Sequence, residues 1–212
     1  MRNEDQLREQ ITELGKSLYD RGLAHGSAGN ISARLEGGDW LLTPTNSCLG
    51  RLDPAKISKL DANGTLLDGD PPSKESFLHL AMYQERAKSG AVVHLHSLHA
   101  VAVSCLADVD PADVFPPITA YAIMQVGKLA LVPYYPPGDQ SLAEAVRKLA
   151  GRHQAVLLAN HGPVVAGTSL SAAVNAIEEL EQTAHLMLLL QGRPTRLLSS
   201  AQVVELNRRF PN

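Results

Sequence analysis

The residues most able to do chemistry in this chain are histidines at strand ends. AVVHLHSLH, residues 91–99, carries His94, His96 and His99 within six positions, directly after small and β-branched apolar residues. On a strand, side chains two apart face the same side, so His94 and His96 project together with Cα atoms roughly 7 Å apart. That separation lets two imidazoles converge on one divalent ion. A second aliphatic stretch, QAVLLANHG, ends in His161, where a glycine lets the chain turn toward a cleft. Three neutral imidazoles with a free coordination position suit a catalytic zinc-type site better than a closed structural one. A histidine-rich bend at the end of a buried strand is the competing reading, and HxH alone does not decide between them. His99 is offset from the His94/His96 pair and is read as scaffold.

Carboxylate and anion-binding chemistry would come from three small-residue turns. In PPSKE, Ser73 is a candidate N-cap, which would place Lys74 and Glu75 in a helix's first turn, where the dipole favours an ionised carboxylate. His79 follows Glu75 by four residues on the same helix face, as an outer partner or a packing residue. SAGN (27–30), TPTN (43–46) and PSK (72–74) are rich in N–H, hydroxyl and amide donors. Such turns form concave anion sites, and Lys74 adds a positive charge. Each is weak taken singly, since SAGN or TPTN could be plain turns. His25, His153 and His185 have no convergent partners in the sequence, and EELEQ (178–182) reads as a solvated helix face.

The elements that must hold these residues follow from periodicity. Leu7, Ile11, Leu14 and Leu18 recur at helical spacing, predicting an amphipathic helix over 4–22. NISARL and WLLTPT read as antiparallel strands across Gly37-Gly38, with short strands near 56–60 and 65–69. PPSKESFLHLAMYQERAKSG predicts a helix, AVVHLH a buried strand, and HAVAVSCLA a short helix. Residues 108–118 are irregular, KLALVPYY (128–135) is a strand, and PPGDQSLAEAVRKLAG is a turn and helix. SLSAAVNAIEELEQTAHLMLLLQG is a long helix, and SAQVVELNRRF a short closing one. The result is one mixed α/β domain over residues 1–212, with a mostly antiparallel sheet covered by helices.

Composition narrows the classes further. The chain has 212 residues, and a net charge of −3 leaves no basic field for nucleic acid or an anionic membrane. An anionic substrate must therefore be met by local cations and backbone donors. Aromatics are only 4 %, so aliphatic side chains supply the core. Cys48 and Cys105 lack metal-ligand spacing and are expected to be buried reduced thiols. The N-terminal stretch is charged and amphipathic, without the apolar run of a signal peptide, and no segment has the apolar length of a membrane span. A soluble, cytoplasmic protein is expected.

Taken in order, GSAGNIS (26–32), LLTPTNS (41–47), PPSKE (71–75), AVVHLHSLHA (91–100), ITAY (118–121), VPYYPPGD (132–139) and LLANHGPVV (157–165) resemble the class II aldolase/adducin family. The ordered set spans almost the whole chain and is far more specific than any single motif. The resemblance implies an α/β/α fold with a nine-stranded type of sheet, and a homotetramer with active sites at subunit interfaces. It implies a divalent metal, typically Zn²⁺ with Mn²⁺ or Co²⁺ as substitutes, held by His94, His96 and His161. Glu75 matches the family's acid/base carboxylate, and Gly29, Asn30, Thr45, Asn46, Ser73 and Lys74 match its phosphate-binding turns. Tyr121 matches a tyrosine supplied by a neighbouring subunit.

Two departures matter. Asn46 stands where sugar-phosphate aldolases commonly carry glycine, and is expected to change the shape of that turn. Lys74 replaces a neutral hydroxyl beside Glu75, which suits a substrate with a carboxylate as well as a phosphate. Together with TPTNSCLG and LVPYYPPGD, these features look most like the branch that decarboxylates 3-oxo-tetronate 4-phosphates to dihydroxyacetone phosphate and CO₂, through an enediolate stabilised by the metal. Sugar-phosphate aldolase and pentulose-phosphate 4-epimerase activities are the rival expectations. A non-enzymatic assembly module, as in the adducin branch, is disfavoured by the intact histidines and Glu75.

Overall fold

The computed structural model describes residues 4–136 and 138–210. Eight strands form one sheet: β1 (Asn30–Arg34), β2 (Trp40–Leu42), β3 (Ser58–Leu60), β4 (Leu66–Asp68), β5 (Ala91–His94), β6 (Ala130–Val132), β7 (Ala155–Leu158) and β8 (Gly162–Gly167). Their order across the sheet is β4-β3-β2-β1-β5-β8-β7-β6. The β6–β7 pair is parallel and every other pair is antiparallel, as expected from sequence. The described residues give eight strands where the family resemblance implied a nine-stranded type. Among the described residues six α-helices accompany them: α1 (Glu4–Asp20), α2 (Ser76–Glu85), α3 (Leu98–Ser104), α4 (Ser141–Ala150), α5 (Leu170–Leu190) and α6 (Ser200–Arg209).

Period-two alternation sorts the sheet into two cores. Ile31, Leu41, Val93, Leu157 and Val165 pack on one face with Ile11 and Leu18 of α1 and Ile177 and Leu180 of α5. Their neighbours Trp40, Leu42, Val92, Val156 and Val164 pack on the other face with Leu78 and Met82 of α2 and Val146 of α4. Covering both faces makes the central strands nearly continuous apolar runs, which is why AVV and AVLL show little alternation. Burying a side chain of leucine size stabilises the fold by about 1.5–3 kcal/mol, so these two layers carry most of the stability.

Register then delivers the chemistry to one end of the sheet. Asn30, the first residue of β1, pairs with His94, the last of β5, and His94 pairs with Val164 near the start of β8. β7 ends at Leu158, opposite Gly162, so the β7–β8 turn holding His161 opens at that same end. The strand β8 follows this turn directly and is an element the sequence periodicity does not mark. Gly162 has φ of 154°, and a Cβ there would lie 2.4 Å from the Leu95 carbonyl oxygen. Its missing side chain therefore lets β8 close against the segment carrying His96.

Other elements also depart from expectation. The segment 128–135 supplies only three strand residues, Ala130–Val132. A π-helical turn, Ala122–Val126, follows Tyr121 and had no sequence signal. Cys105 is exposed and Cys48 only partly buried, so neither is the buried thiol expected. No helix among the described residues is long and apolar enough to cross a membrane.

Candidate metal centre and active site

His94 is the last residue of β5 and shares a face with Val92, which turns its ring toward α2 and away from α1 and α5. It is fully buried. Its Nδ1 lies 2.8 Å from the Pro163 carbonyl oxygen. A carbonyl only accepts, so Nδ1 carries hydrogen, and Nε2 of the neutral ring presents its lone pair. His96 lies two residues further on, past the strand end, with its Nε2 3.0 Å from that of His94. His161 brings a third Nε2 to 3.0 Å from His96 Nε2. Glu75 closes the group, with Oε1 3.1 Å from His161 Nε2 and Oε2 3.5 Å from His94 Nε2.

This donor set fits a divalent cation. Four ligating atoms from Glu75, His94, His96 and His161 all lie within 4.8 Å of one another. Three nitrogen lone pairs aimed at one point repel unless positive charge sits between them, and a carboxylate at the rim adds to that demand. Nε2 separations near 3 Å are compatible with Zn–N bonds of about 2.0–2.1 Å to a common centre. The proton equilibria reflect the same demand. Burial pushes Glu75 up, but the neighbouring His94 and His161 rings and the Asn30 amide outweigh it, leaving the carboxyl well below its usual range. Burial and the two neighbouring rings hold His96 down to about 4, so it is a neutral donor near neutral pH. Burial lowers His94, but Glu75 outweighs it and the net direction is upward.

The helix carrying Glu75 begins later than the sequence suggested. Glu75 is the N-cap of α2, not a first-turn residue, with φ of −94° and ψ of 12°. Ser73 instead shapes the turn before it, its Oγ accepting from the Glu75 N–H at 3.3 Å. Asn30 reaches across from β1, donating through Nδ2 to Glu75 Oε2 at 2.7 Å and to Ser73 Oγ at 3.2 Å.

A cavity of about 380 Å³ opens beside the cluster, and all six residues proposed from sequence for the phosphate turns line it: Gly29, Asn30, Thr45, Asn46, Ser73 and Lys74. The turns are stitched together by their backbones, Ser73 N–H donating to Thr43 O at 3.2 Å and Thr45 N–H to Pro71 O at 2.9 Å. Asn46 has φ of 56°, in the left-handed region that asparagine tolerates best after glycine. The turn therefore reaches, without glycine, a backbone conformation that glycine also adopts. Glu75, His96 and His161 line this cavity and also a second one of about 530 Å³. The second is bounded by His25, Leu98, Val101, Tyr134 and Asn160, so the cluster stands between a donor-rich chamber and a less polar one.

Tyr121 is not among the residues lining either cavity, and it is 62 % exposed. Within one chain it does not meet the cluster. Sequence reasoning missed Tyr135, which lines both cavities, and His25, which has no convergent partner in the sequence yet lines the second. Nothing local marks either; they stand out only because they line a cavity shared with Glu75, His96 and His161. His99 lies apart from the cluster, bonded through Nδ1 to Glu181 Oε1 at 2.8 Å.

With this geometry in hand, the chain can be set beside known proteins. Residues 9–188 match the family described as the Class II Aldolase and Adducin N-terminal domain. A 3-oxo-tetronate 4-phosphate decarboxylase from Escherichia coli strain K12 is 50 % identical over 203 residues, covering 96 % of each chain. An L-fuculose phosphate aldolase from Methanococcus maripaludis is 36 % identical over 177 residues, covering 84 % of this chain and 93 % of the relative. The crystal structure of YgbL from Escherichia coli superimposes with a TM-score of 0.94 at 49 % identity, covering 96 % of this chain and 98 % of that one. Family match, near-full-length identity and shared topology agree, and the chain belongs to the class II aldolase/adducin family.

Proposed function

We propose that this protein is a metal-dependent carboxy-lyase converting a 3-oxo-tetronate 4-phosphate to dihydroxyacetone phosphate and CO₂. Residues 1–212 act as one catalytic domain. The observation that carries this reading is the 50 % identity across 96 % of both chains to a relative bearing that name. The aldolase relative, at 36 %, is more distant. Lys74 supports the choice, because it adds a cation to the chamber that a substrate with both phosphate and carboxylate would enter.

His94, His96 and His161 hold the ion, which we take to be Zn²⁺, with Mn²⁺ or Co²⁺ as substitutes. When bound, the cation supplies Lewis-acid polarisation of the substrate ketone and stabilises negative charge developing beside it. The backbone and side-chain donors of Gly29, Asn30, Thr45, Asn46 and Ser73 grip the phosphate, with Lys74 as counter-charge. Fixing that remote end holds the scissile C1–C2 bond in place. That bond breaks, CO₂ leaves, and the electron pair stays on C2. Glu75 relays a solvent proton, taking it up as the electron pair develops and passing it to C2, which completes dihydroxyacetone phosphate. Tyr121 from a neighbouring subunit orients the substrate or assists proton traffic, within a homotetramer whose active sites lie at subunit interfaces. A cytoplasmic setting fits a phosphorylated sugar-acid substrate, and neither nucleic acid nor membrane is a partner.

The test presents zinc-loaded protein separately with 3-oxo-tetronate 4-phosphates and with ketose 1-phosphates. CO₂ and dihydroxyacetone phosphate should appear in equal amounts from the oxo-acid. Aldehyde released from a ketose phosphate, with no CO₂ from the oxo-acid, would instead make the protein an aldolase.

A further inference from the structure

A chain of buried polar groups runs behind Glu75, from Asn30 at the wall of the donor-rich chamber into the interface with α2. His79, on α2, is fully buried, with Nε2 2.5 Å from Asn30 Oδ1 and Nδ1 2.7 Å from Ser32 Oγ. Ser32 Oγ in turn lies 2.8 Å from the hydroxyl of Tyr83, one helical turn further along α2. Period two on β1 places Asn30 and Ser32 on the face that meets α2, and the four-residue spacing of His79 and Tyr83 matches them.

The direction of every hydrogen bond in this chain follows from one end. The Glu75 carboxylate only accepts, so Asn30 presents Nδ2 to it and Oδ1 to His79. An amide oxygen also only accepts, so His79 carries hydrogen on Nε2. Its Nδ1 is then the acceptor, the Ser32 hydroxyl donates to it, and the Tyr83 hydroxyl donates to Ser32. Turning the Asn30 amide over would set its oxygen against the carboxylate and its NH₂ against the His79 N–H. Burial independently keeps the His79 ring neutral, its pKa pushed down to about 3.

We propose that His79 is a positioning residue: its Nε2–H locks the Asn30 amide, and the locked amide holds the Glu75 carboxylate where it meets the cluster and the substrate. Asn30 also lines the donor-rich chamber. The same lock therefore fixes the distance between the proton-donating carboxyl and the turns gripping the far end of the substrate. The contrasting role for His79 is packing, since its ring stacks near Trp40 at 6.5 Å between centroids and 16° between planes.

Two substitutions separate these roles. His79→Phe keeps a ring for Trp40 and removes both hydrogen bonds. His79→Gln loses the ring but offers an amide N–H to Asn30 and an amide oxygen to Ser32. In zinc-loaded protein, His79→Phe should lower kcat by about 10- to 100-fold, the usual cost of removing an outer partner, with smaller change in KM and unchanged zinc content. His79→Gln should recover most of that loss. Wild-type kcat in His79→Phe, or His79→Gln no better than His79→Phe, overturns the proposal. This kinetic half rests on the decarboxylase reading, and a second measurement does not. Nitrogen-15 NMR of histidine-labelled wild-type protein should find His79 protonated at Nε2 and bare at Nδ1. The opposite tautomer overturns the proposal whether or not the protein acts on the oxo-acid.

Discussion

Two clusters in this molecule are built from the same residue types and do different things. Glu75 with His94, His96 and His161 sends four donor atoms to one point. Glu181 with His99 and His185 does not. There the carboxylate accepts from the His99 backbone N–H at 2.9 Å, the Ala100 N–H at 2.8 Å and His99 Nδ1 at 2.8 Å. The two rings stack face to face, 4.0 Å between centroids, so their nitrogens cannot converge on a common centre. One cluster concentrates lone pairs and needs a cation. The other satisfies its carboxylate with N–H donors and ties α3 to α5. Convergence, not composition, separates a metal centre from a structural brace.

Substitutions in each cluster should break this contrast or sharpen it. The largest effect belongs to His94→Ala, which should reduce bound zinc from one per chain to near none. Its turnover should fall by more than the roughly 100-fold that loss of an outer partner costs. His99→Ala should keep its zinc by elemental analysis; equal loss in both would erase the distinction. Next comes Glu75→Gln, expected to retain zinc while kcat falls by about 10²–10⁴, the range for loss of a positioned acid or base. Full activity in that variant would remove Glu75 from the proton-transfer step.

A smaller effect is expected in pH-dependent stability. Burial, with His94 adding to it, holds His79 down to about 3 in the fold, whereas an unfolded histidine titrates near 6.5. The unfolded chain thus binds a proton the folded ring refuses. This contribution is fully present above pH 6.5 and is lost as pH falls toward 3, by about 2 kcal/mol on reaching pH 5. Urea unfolding at pH 7 and pH 5 should show a smaller decline for His79→Gln than for wild type, and identical declines would contradict this. Smallest of all, Glu181→Ala should cost about 1 kcal/mol by uncapping α3, with zinc unchanged. For a chain of this size that lowers Tm by about 2–4 °C, and a loss of zinc instead would show that the brace reaches the metal centre.

Much of this was legible in the sequence because the governing signals are local. Period-two and helical spacing gave most strands and every α-helix, and HxH at a strand exit announced the pair His94 and His96. What was hidden depends on contacts between distant segments. EELEQ looked like a solvated face, yet the Glu181 side chain is only 13 % exposed, because α3 docks its N-terminus there. His185 looked isolated until α5 met α3. The start of α2 was misplaced because Ser73 stabilises a turn before the helix, a choice that depends on Asn30 and Thr43 from distant segments. His79 sat visibly four residues from Glu75, but its partners Asn30 and Ser32 lie more than forty residues away in the chain. Tyr121 remains outside both cavities of the single chain, where no helical or strand period could have placed it.

The most direct measurement is anomalous diffraction at the zinc absorption edge from crystals of the zinc-loaded protein. The account predicts one strong peak bonded to Nε2 of His94, His96 and His161, at about 2.0–2.1 Å from each, and none beside Glu181. A peak between His99 and Glu181, or no ion among the three histidines, would contradict it.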